Sequence, residues 1–392
     1  LNKDNSLKER EDFTYSTVTE YSLLNMMVIV FGMLYLLGYL LSITQRSKYN
    51  YVMIIKHFER QSDISSNTNG YNKKSRVKKI KKYSFIDLFA GIGGFRLGFQ
   101  RGYSECIFTS EWDKYAKKTY QKNFNSEVFG DINDLKTDNL QDFHILLGGF
   151  PCQPFSKIGL RQGFSHDTQG NLFFNIVNIL SEKKPVSFVL ENVTGLLTHK
   201  TNGQSTIDLM AEVLDELGYE VNIGKLNSSD FGVAQTRRRV FLVGFNKNYF
   251  KEPTGFKFPV PKKNNIYMKD IIEKNVKGYE ISHHLQKVYM FKKNDKKPLL
   301  VDHNSEFFAS TLVSTYHKIQ RLTGTFVKDG PTGMRLLSEN ECKSLMGFPK
   351  DFTFPVSRTQ MYRQLGNAVV VPVIKALSRE VYKVLEKTLV IK

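Results

Sequence analysis

The stretch "SFIDLFAGIGGFRLGFQ", residues 84–100, combines an apolar run, a glycine-rich turn and an amphipathic segment. The apolar run at residues 85–89 predicts a buried strand, and the amphipathic segment predicts a helix. Between them, Gly91, Gly93 and Gly94 predict a tight turn whose backbone can approach a ligand closely, beside the N-terminus of the helix. Many strand-to-helix turns are rich in glycine for steric reasons alone, so the turn by itself indicates an α/β fold rather than a particular ligand.

Residues further along the chain add a nucleotide-type site to this interpretation. Glu111 follows Gly91 by twenty residues, the spacing at which Rossmann-like folds place an acid on ribose hydroxyls. Trp112, the only tryptophan of the chain, is either a core residue or a surface on which an adenine ring stacks. Asp131 lies in "GDIND", residues 130–134, where another short strand ends.

Three more strand-like runs follow, namely "HILLGG", "VSFVL" and "RRRVFLVGF", and helical stretches such as "NLFFNIVNIL" separate the first two. This alternation predicts right-handed crossovers and a mostly parallel sheet. Ligands of such sheets bind beyond the carboxyl ends of the strands, so we expect the turn at 87–94, Cys152 and Glu191 to converge on one crevice. Near the C-terminus, Ser338 and Glu341 in "LSENE" form a capping-box pattern that predicts a further helix.

Cys152 lies in "GGFPCQPFS", residues 148–156, between Pro151 and Pro154. The two prolines stiffen the loop, and a thiol on a fixed backbone is a good nucleophile where cations lower its pKa. A structural thiol needs an apolar pocket and has no use for a stiff backbone. We therefore expect Cys152 to be a reactive group rather than a packed side chain.

Charged residues near the later strands supply partners for such a thiol. Glu191 in "ENV" can hydrogen-bond a ring nitrogen, or donate a proton to it where its environment keeps the carboxyl protonated. Arg237 and Arg239 lie two apart on an extended segment, so they share one face, with Arg238 on the other. A solvated strand edge is the alternative for these arginines, but the apolar strand that follows them favours a buried site.

The composition limits the class of protein. Among 392 residues the formal net charge is +18, which fits either a well-solvated surface or a polyanionic partner such as nucleic acid. Three cysteines without metal-ligand spacing indicate a reducing compartment, with neither a disulfide scaffold nor a metal site. Cys106 and Cys342 lie among apolar residues, so we expect both in the core.

The first 82 residues differ from the rest of the chain. Residues 21–45 carry no charge and are long enough for a membrane-spanning helix. Arg46 and Lys48 would then leave the remaining chain in the cytoplasm. The alternative is upstream or non-native sequence without a membrane role. A polar and basic linker follows, and we expect the folded part to begin near Tyr83.

From about Tyr83 to the C-terminus the chain resembles the cytosine-5 DNA methyltransferases, in particular the compact bacterial enzymes of restriction-modification systems. Eight motifs in family order carry the resemblance: "DLFAGIGG", "EWD", "GDI", "GGFPCQPFS", "ENV", "QTRRR", "RLLSENECKSLMGFP" and "QLGNAVVVPV". The resemblance implies an α/β fold with a Rossmann-like, S-adenosylmethionine-dependent methyltransferase sheet at 83–255. It also implies a smaller, mostly irregular or β target-recognition domain at 256–334, and a return to the catalytic domain at 335–392.

The resemblance assigns roles to individual residues. Cys152 would attack C6 of a cytosine, Glu191 would contact N3 and the exocyclic amine, and Arg237 and Arg239 would position the base. Because C6 is inaccessible inside a duplex, the target base must be flipped out. The residues that would bind S-adenosylmethionine are Phe89, Ala90, Gly91, Gly93, Gly94, Glu111, Trp112, Asp131, Ile132, Leu172 and Asn367.

Double-stranded DNA is the partner that the resemblance implies, for a monomer in the cytoplasm. The residues expected to contact it are Gln153, Ser156, Gln235, Thr311, Lys318, Gln320 and Arg321. For the last three, ordinary surface polarity explains the sequence equally well. A cognate restriction endonuclease would share the recognition site without being bound to the enzyme.

Two alternatives remain open on the sequence alone. One branch of the family methylates tRNA, and a catalytically silent DNA-binding or membrane-tethered relative would share the fold. The long basic stretch between the arginine strand and "LSENE" favours DNA as the substrate. Intact Cys152, Glu191 and Arg239 favour an active enzyme.

Overall fold

The computed structural model describes residues 83–150, 172–201, 203–261, 265–293 and 297–389. All of them belong to one unit, Lys78–Lys392. The apolar segment at 21–45, Cys152, Gln153 and Ser156 lie outside the described residues. Among the described helices, none has the combined length and apolar character that crossing a membrane requires.

The strands are β1 (Tyr83–Leu88), β2 (Ser104–Ser110), β3 (Ile145–Gly149), β4 (Ser187–Val193), β5 (Lys200–Thr201), β6 (Gln204–Ser205), β7 (Tyr219–Asn227), β8 (Arg238–Asn246), β9 (Leu299–Val301) and β10 (Thr325–Val327). Six of them form one sheet in the order β2-β1-β3-β4-β8-β7. The neighbours among β1 to β4 are parallel, which confirms the prediction for this part. In contrast, β8 is antiparallel to β4 and β7, because residues 228–237 are too few for the crossover that parallel strands need.

The helices are α1 (Gly94–Phe99), α2 (Lys114–Phe124), α3 (Leu172–Lys183), α4 (Thr206–Glu216), α5 (Glu339–Met346), α6 (Arg358–Asn367) and α7 (Val371–Leu389). Single helical turns occur at Ile132–Asp134, Thr137–Asn139, Thr194–Leu197, Ser228–Phe231, Lys247–Tyr249, Met268–Asp270, His283–Leu285, Gln286–Met290 and Tyr316–Lys318. Helix α2 begins after Asp113, whose carboxylate accepts hydrogen bonds from two backbone amides of the first turn. Ser338 and Glu341 form the predicted capping box at the start of α5.

Apolar side chains cover both faces of the large sheet. Successive residues of a strand point to opposite faces, so Phe85 belongs to one core cluster and Ile86 to the other, and both are fully buried. The cluster of Phe85 also contains Met268 and Phe326. The described residues of the region 256–334, whose strands are the parallel pair β9 and β10, therefore pack on the same core as the sheet.

The two described cysteines differ in burial. Cys342 on α5 is fully buried in the core cluster, as predicted. Cys106 is only half-buried, and its Sγ lies 3.4 Å from Thr109 Oγ1. The prediction of a core position is confirmed in part for Cys106, because this residue packs against the core cluster but lies on the edge strand β2, which leaves it partly open to solvent.

Candidate active site

The carboxyl ends of β1, β3 and β4 open into a crevice of about 620 Å³. Its walls contain the following residues proposed from the sequence: Phe89, Ala90, Gly91, Gly94, Glu111, Trp112, Asp131, Ile132, Leu172, Glu191, Arg237, Arg239 and Asn367. The structure therefore brings together side chains that lie up to 278 positions apart in the sequence, from Phe89 to Asn367.

The turn between β1 and α1 forms one wall of the crevice. Gly91 has a φ of +55°, a left-handed conformation that favours glycine, and a Cβ at this position would meet nothing within 4 Å. Its backbone is therefore open towards a ligand. Gly93 differs, because a Cβ there would lie 2.2 Å from Phe124 Cε2. Gly93 is absent from the crevice wall and allows the turn to pack on α2, so its contact with a cofactor stays a prediction.

Glu111 connects this turn to the end of β2. Its Oε2 accepts a hydrogen bond from the backbone amide of Gly91 at 2.8 Å, and its Oε1 accepts one from the amide of Asp113 at 2.8 Å. Burial raises the pKa of Glu111, and the two amides partly offset this effect. A carboxylate oxygen has two lone pairs, so each oxygen of Glu111 can still accept one bond from a ligand.

Trp112 and Asp131 lie at the mouth of the same wall. The side chain of Trp112 is 79% exposed, which excludes the interpretation as a core residue and leaves its flat ring open for stacking. Asp131 caps the helical turn that begins at Ile132, and its Oδ1 accepts a bond from the amide of Asn133 at 3.0 Å. The other oxygen, Oδ2, takes no part in this cap.

Glu191 and Arg239 form an ion pair on the opposite wall. Arg239 Nε lies 2.9 Å from Glu191 Oε1, and the two side chains are 19% and 12% exposed. Burial raises the pKa of Glu191, and the positive charges of Arg239 and Arg237 partly offset this effect. Glu191 on β4 is paired with Gly149, the last residue of the neighbouring strand β3.

Arg237 shares the crevice with Arg239, but its guanidinium is bound to the protein. Nη1 donates to the carbonyl of Leu312 at 2.9 Å, and Nη2 donates to the carbonyls of Gly366 and Ala368 at 3.0 Å each. Burial and the like charge of Arg239 lower the pKa of Arg237 to about 9, so the group remains positive at neutral pH. The three carbonyls take up Nη1 and Nη2, whereas the buried Nε has no partner among the described residues, so the contact of Arg237 with the base stays a prediction.

Two of the proposed DNA contacts are corrected. Gln235 is fully buried; its Oε1 accepts from the amide of Leu312 and its Nε2 donates to the carbonyl of Leu345. Arg321 is 7% exposed and donates to backbone carbonyls, among them that of Met290 at 2.8 Å. Neither side chain is available to DNA, because each binds backbone groups of its own chain.

The remaining proposed DNA contacts have different surroundings. Lys318 is exposed, and Gln320 is half-buried. Thr311 is also half-buried, and its hydroxyl donates to the carbonyl of Thr236 at 2.7 Å. Contact between these three residues and DNA stays a prediction.

One face of α6 supplies crevice residues to which the sequence analysis assigned no role. Gln360, Arg363 and Gln364 line the crevice together with the predicted Asn367. These positions are three, four and seven residues apart, the spacing of one helical face. A polar stripe at that spacing on an otherwise amphipathic helix was the signal available in the sequence.

The family comparison identifies the chain as a whole. A family model described as "C-5 cytosine-specific DNA methylase" matches residues 83–383. This range contains the complete crevice described above.

Curated relatives agree with this match. The chain is 48% identical over 335 residues to the Type II methyltransferase M.MspI of Moraxella sp, covering 85% of this chain and 77% of that protein. It is also 48% identical over 332 residues to the Type II methyltransferase M.BsuFI of Bacillus subtilis, covering 84% and 79% of the two chains.

Solved structures show the same fold. The methyltransferase EhMeth of Entamoeba histolytica superimposes with a TM-score of 0.63 at 20% identity, covering 78% of this chain and 99% of that one. The Dnmt2 methyltransferase of S. pombe superimposes with a TM-score of 0.61 at 19% identity and the same coverage. With the family match and the relatives above, the chain belongs to the C-5 cytosine-specific DNA methylases and is a DNA cytosine-5-methyltransferase of the Type II restriction-modification kind.

Proposed function

We propose that the chain transfers a methyl group from S-adenosylmethionine to C5 of a flipped-out cytosine in duplex DNA, and that both substrates meet in the crevice. One observation carries this proposal. The ion pair of Glu191 and Arg239 shares a single cavity with Gly91, Glu111 and Trp112. A group suited to a pyrimidine ring and a group suited to a nucleoside therefore face the same space.

The residues of the crevice fit S-adenosylmethionine. The exposed ring of Trp112 offers a stacking surface for adenine, and Glu111 keeps lone pairs for two ribose hydroxyls. Asp131 Oδ2 can accept a bond from the adenine amino group. The open backbone at Gly91 leaves space for the rest of the molecule. When bound, the cofactor supplies an electrophilic methyl group.

Glu191 and Arg239 would hold the cytosine. Burial raises the pKa of Glu191, so its carboxyl can carry the proton that N3 requires when the ring receives electrons. Arg239 fixes the orientation of this carboxyl through the ion pair at 2.9 Å. Duplex DNA must release the base from its stack before it can reach these groups.

Cys152 would be the nucleophile. It lies outside the described residues, and its role rests on the motif "GGFPCQPFS", in which it follows the last residue of β3 by three positions. The thiolate forms a bond from sulfur to C6, and the electrons move to C5 as N3 takes a proton. C5 would then take the methyl group, whose bond to the sulfonium sulfur breaks and leaves S-adenosylhomocysteine. A base removes the proton from C5 and N3 gives up its proton. The electrons of the C5–H bond form the C5–C6 double bond again, and the bond between the sulfur of Cys152 and C6 breaks to release the thiolate.

A trapping experiment tests this mechanism. Duplex DNA with 5-fluorocytosine in place of cytosine cannot lose a proton from C5, so the enzyme and S-adenosylmethionine should form a covalent complex that survives denaturing electrophoresis. The Cys152→Ser variant should bind S-adenosylmethionine like the intact protein and form no complex. An intact protein that binds the cofactor and is not trapped by any duplex would overturn the mechanism.

A second experiment tests the identity of the nucleic-acid substrate. Bisulfite sequencing of exposed genomic DNA should show protection at cytosines of one short sequence, the site that a cognate restriction endonuclease would also recognise. Methyl transfer to tRNA but not to duplex DNA would show that the proposed nucleic acid is wrong.

A further inference from the structure

The segment 309–312 of the irregular region lies along the chain that leads into β8. The amide of Ala309 donates to the carbonyl of Ala234 at 2.8 Å, and the amide of Thr236 donates to the carbonyl of Ala309 at 3.0 Å. The hydroxyl of Thr311 adds a bond to the carbonyl of Thr236. The segment is therefore paired in parallel with residues 234–236, like a short additional strand.

Two side chains continue this pairing where the backbone ladder stops. Gln235 Oε1 accepts from the amide of Leu312 at 2.6 Å, and Arg237 Nη1 donates to the carbonyl of the same residue at 2.9 Å. Gln235 and Arg237 alternate along an extended segment, so they project from one face. Both backbone groups of Leu312 are thus satisfied by buried side chains.

Arg237 also binds the C-terminal end of α6. Nη2 donates to the carbonyls of Gly366 and Ala368, the two neighbours of the crevice residue Asn367. A Cβ on Gly366 would lie 2.2 Å from the amide nitrogen of Ser314. This helix end and the segment that follows Leu312 therefore touch backbone to backbone, and one guanidinium joins them to β8.

We propose that Gln235 and Arg237 form a positioning clamp, which fixes the segment 309–312 to the crevice wall at 366–368. The inference rests on the proposed function, in which the crevice binds S-adenosylmethionine, and on the target-recognition role that the resemblance implies for the region 256–334. The clamp acts through Asn367 and the backbone beside it rather than by touching the cytosine. Losing it displaces the cofactor wall and the recognition segment relative to each other.

Arg321 provides a matched control for Arg237. It is also a buried arginine that donates to backbone carbonyls, among them those of Met290, Lys293 and Lys297, and none of these three residues belongs to the crevice wall. We therefore compare Arg237→Lys with Arg321→Lys in the full chain. Each variant keeps the positive charge and loses the planar group that binds several carbonyls.

The first readout is the affinity for S-adenosylmethionine without DNA, measured by calorimetry well below the thermal midpoint of each variant. Arg237→Lys should raise the dissociation constant by about tenfold to a hundredfold, whereas Arg321→Lys should lower the thermal midpoint without changing this affinity. If both variants lower the affinity for the cofactor equally for an equal loss of stability, the clamp has no positioning role and the inference is wrong.

A double-mutant cycle gives the second readout. Gln235→Met and Arg237→Lys remove bonds to the same residue, so their effects on cofactor affinity should not add. Additive effects would contradict a shared role. Should Arg237→Lys fail to fold, Thr311→Val removes one bond of the same pairing and should weaken the cofactor in the same direction; unchanged affinity would count against the clamp.

These outcomes are distinct from a failure of the proposed function. An intact chain that binds no S-adenosylmethionine would overturn the proposed function first. If the intact chain binds the cofactor and methylates DNA, and Arg237→Lys and Arg321→Lys have the same affinity for S-adenosylmethionine, only the clamp is overturned.

Discussion

Two opposing electrostatic effects act on Glu191. Burial in the crevice raises the pKa of its carboxyl, and the guanidinium of Arg239 lowers it. The net direction is upward, so the protonated carboxyl persists to higher pH than in an exposed glutamate. The ion pair therefore orients Glu191 without forcing it to remain ionised, which suits a group that must both hold and release a proton.

The pH dependence of methyl transfer should report this residue. Because the protonated carboxyl donates to N3, the rate should fall as the pH rises through the raised pKa of Glu191. Glu191→Gln cannot transfer a proton, so it should slow transfer by about 10²- to 10⁴-fold and abolish this decline. Single-turnover rates measured across the pH range with saturating cofactor and DNA test both effects.

Glu220→Gln is a suitable control for this experiment. Glu220 is a half-buried carboxylate on β7 that binds Thr254 and lies outside the crevice wall. The variant should keep the pH profile of the intact protein. A Glu191→Gln variant that still loses activity with rising pH would assign the decline to another group.

At the scale of elements, the sequence predicted the strands, turns and helices that depend on residues close together in the chain. The apolar run, glycine turn and amphipathic segment at 84–100 became β1, the turn and α1. The alternation of side chains placed Arg237 and Arg239 in one crevice. These features depend on neighbours within a few residues, and the sequence shows such neighbours directly.

The hydrogen-bond partners of Gln235 and Arg237 could not be predicted in this way. Their partners are Leu312, Gly366 and Ala368, which lie between 75 and 131 positions further along the chain. A basic or polar residue in a motif is equally compatible with a ligand and with a distant carbonyl. The tertiary structure decides between these two, and no periodicity in the sequence carries that information.

Helix α7 packs closely against α1 at Gly98. A Cβ on Gly98 would lie 2.2 Å from Ile374 Cγ2, and Ile374 is fully buried. Ser378 Oγ also donates to the carbonyl of Gly98 at 2.8 Å. The missing side chain of Gly98 therefore allows α1 and α7 to approach each other closely.

Gly98→Ala should therefore destabilise the protein. Overpacking of a well-filled core costs about 1–3 kcal/mol, which urea unfolding can measure. Gly102→Ala is the control, since a Cβ at Gly102 meets nothing within 4 Å, and its stability should equal that of the intact protein. Equal stability of both variants would show that α1 and α7 adjust without strain.

At the scale of the whole molecule, the sheet and the region 256–334 share one apolar core. The side chains that build this core from the irregular region include Met268, Tyr316 and Phe326. A common core fixes the exposed basic residues of the region relative to the crevice. Lys318 ends the helical turn Tyr316–Lys318, whose first residue Tyr316 belongs to this core.

The net charge of +18 and the position of Lys318 together predict how DNA binding responds to salt. Each neutralised phosphate releases counterions, so the logarithm of the binding constant falls linearly with the logarithm of the salt concentration. If Lys318 contacts a phosphate, Lys318→Gln should weaken binding of all duplexes and reduce the magnitude of this slope by about one.

Lys375→Gln is the control, because Lys375 lies on α7 beside Arg101 and outside the crevice wall; its slope should equal that of the intact protein. Fluorescence anisotropy over a salt series measures the three slopes. A slope for Lys318→Gln equal to that of the intact protein would remove Lys318 from the DNA interface, and a change confined to one DNA sequence would assign it to a base rather than a phosphate.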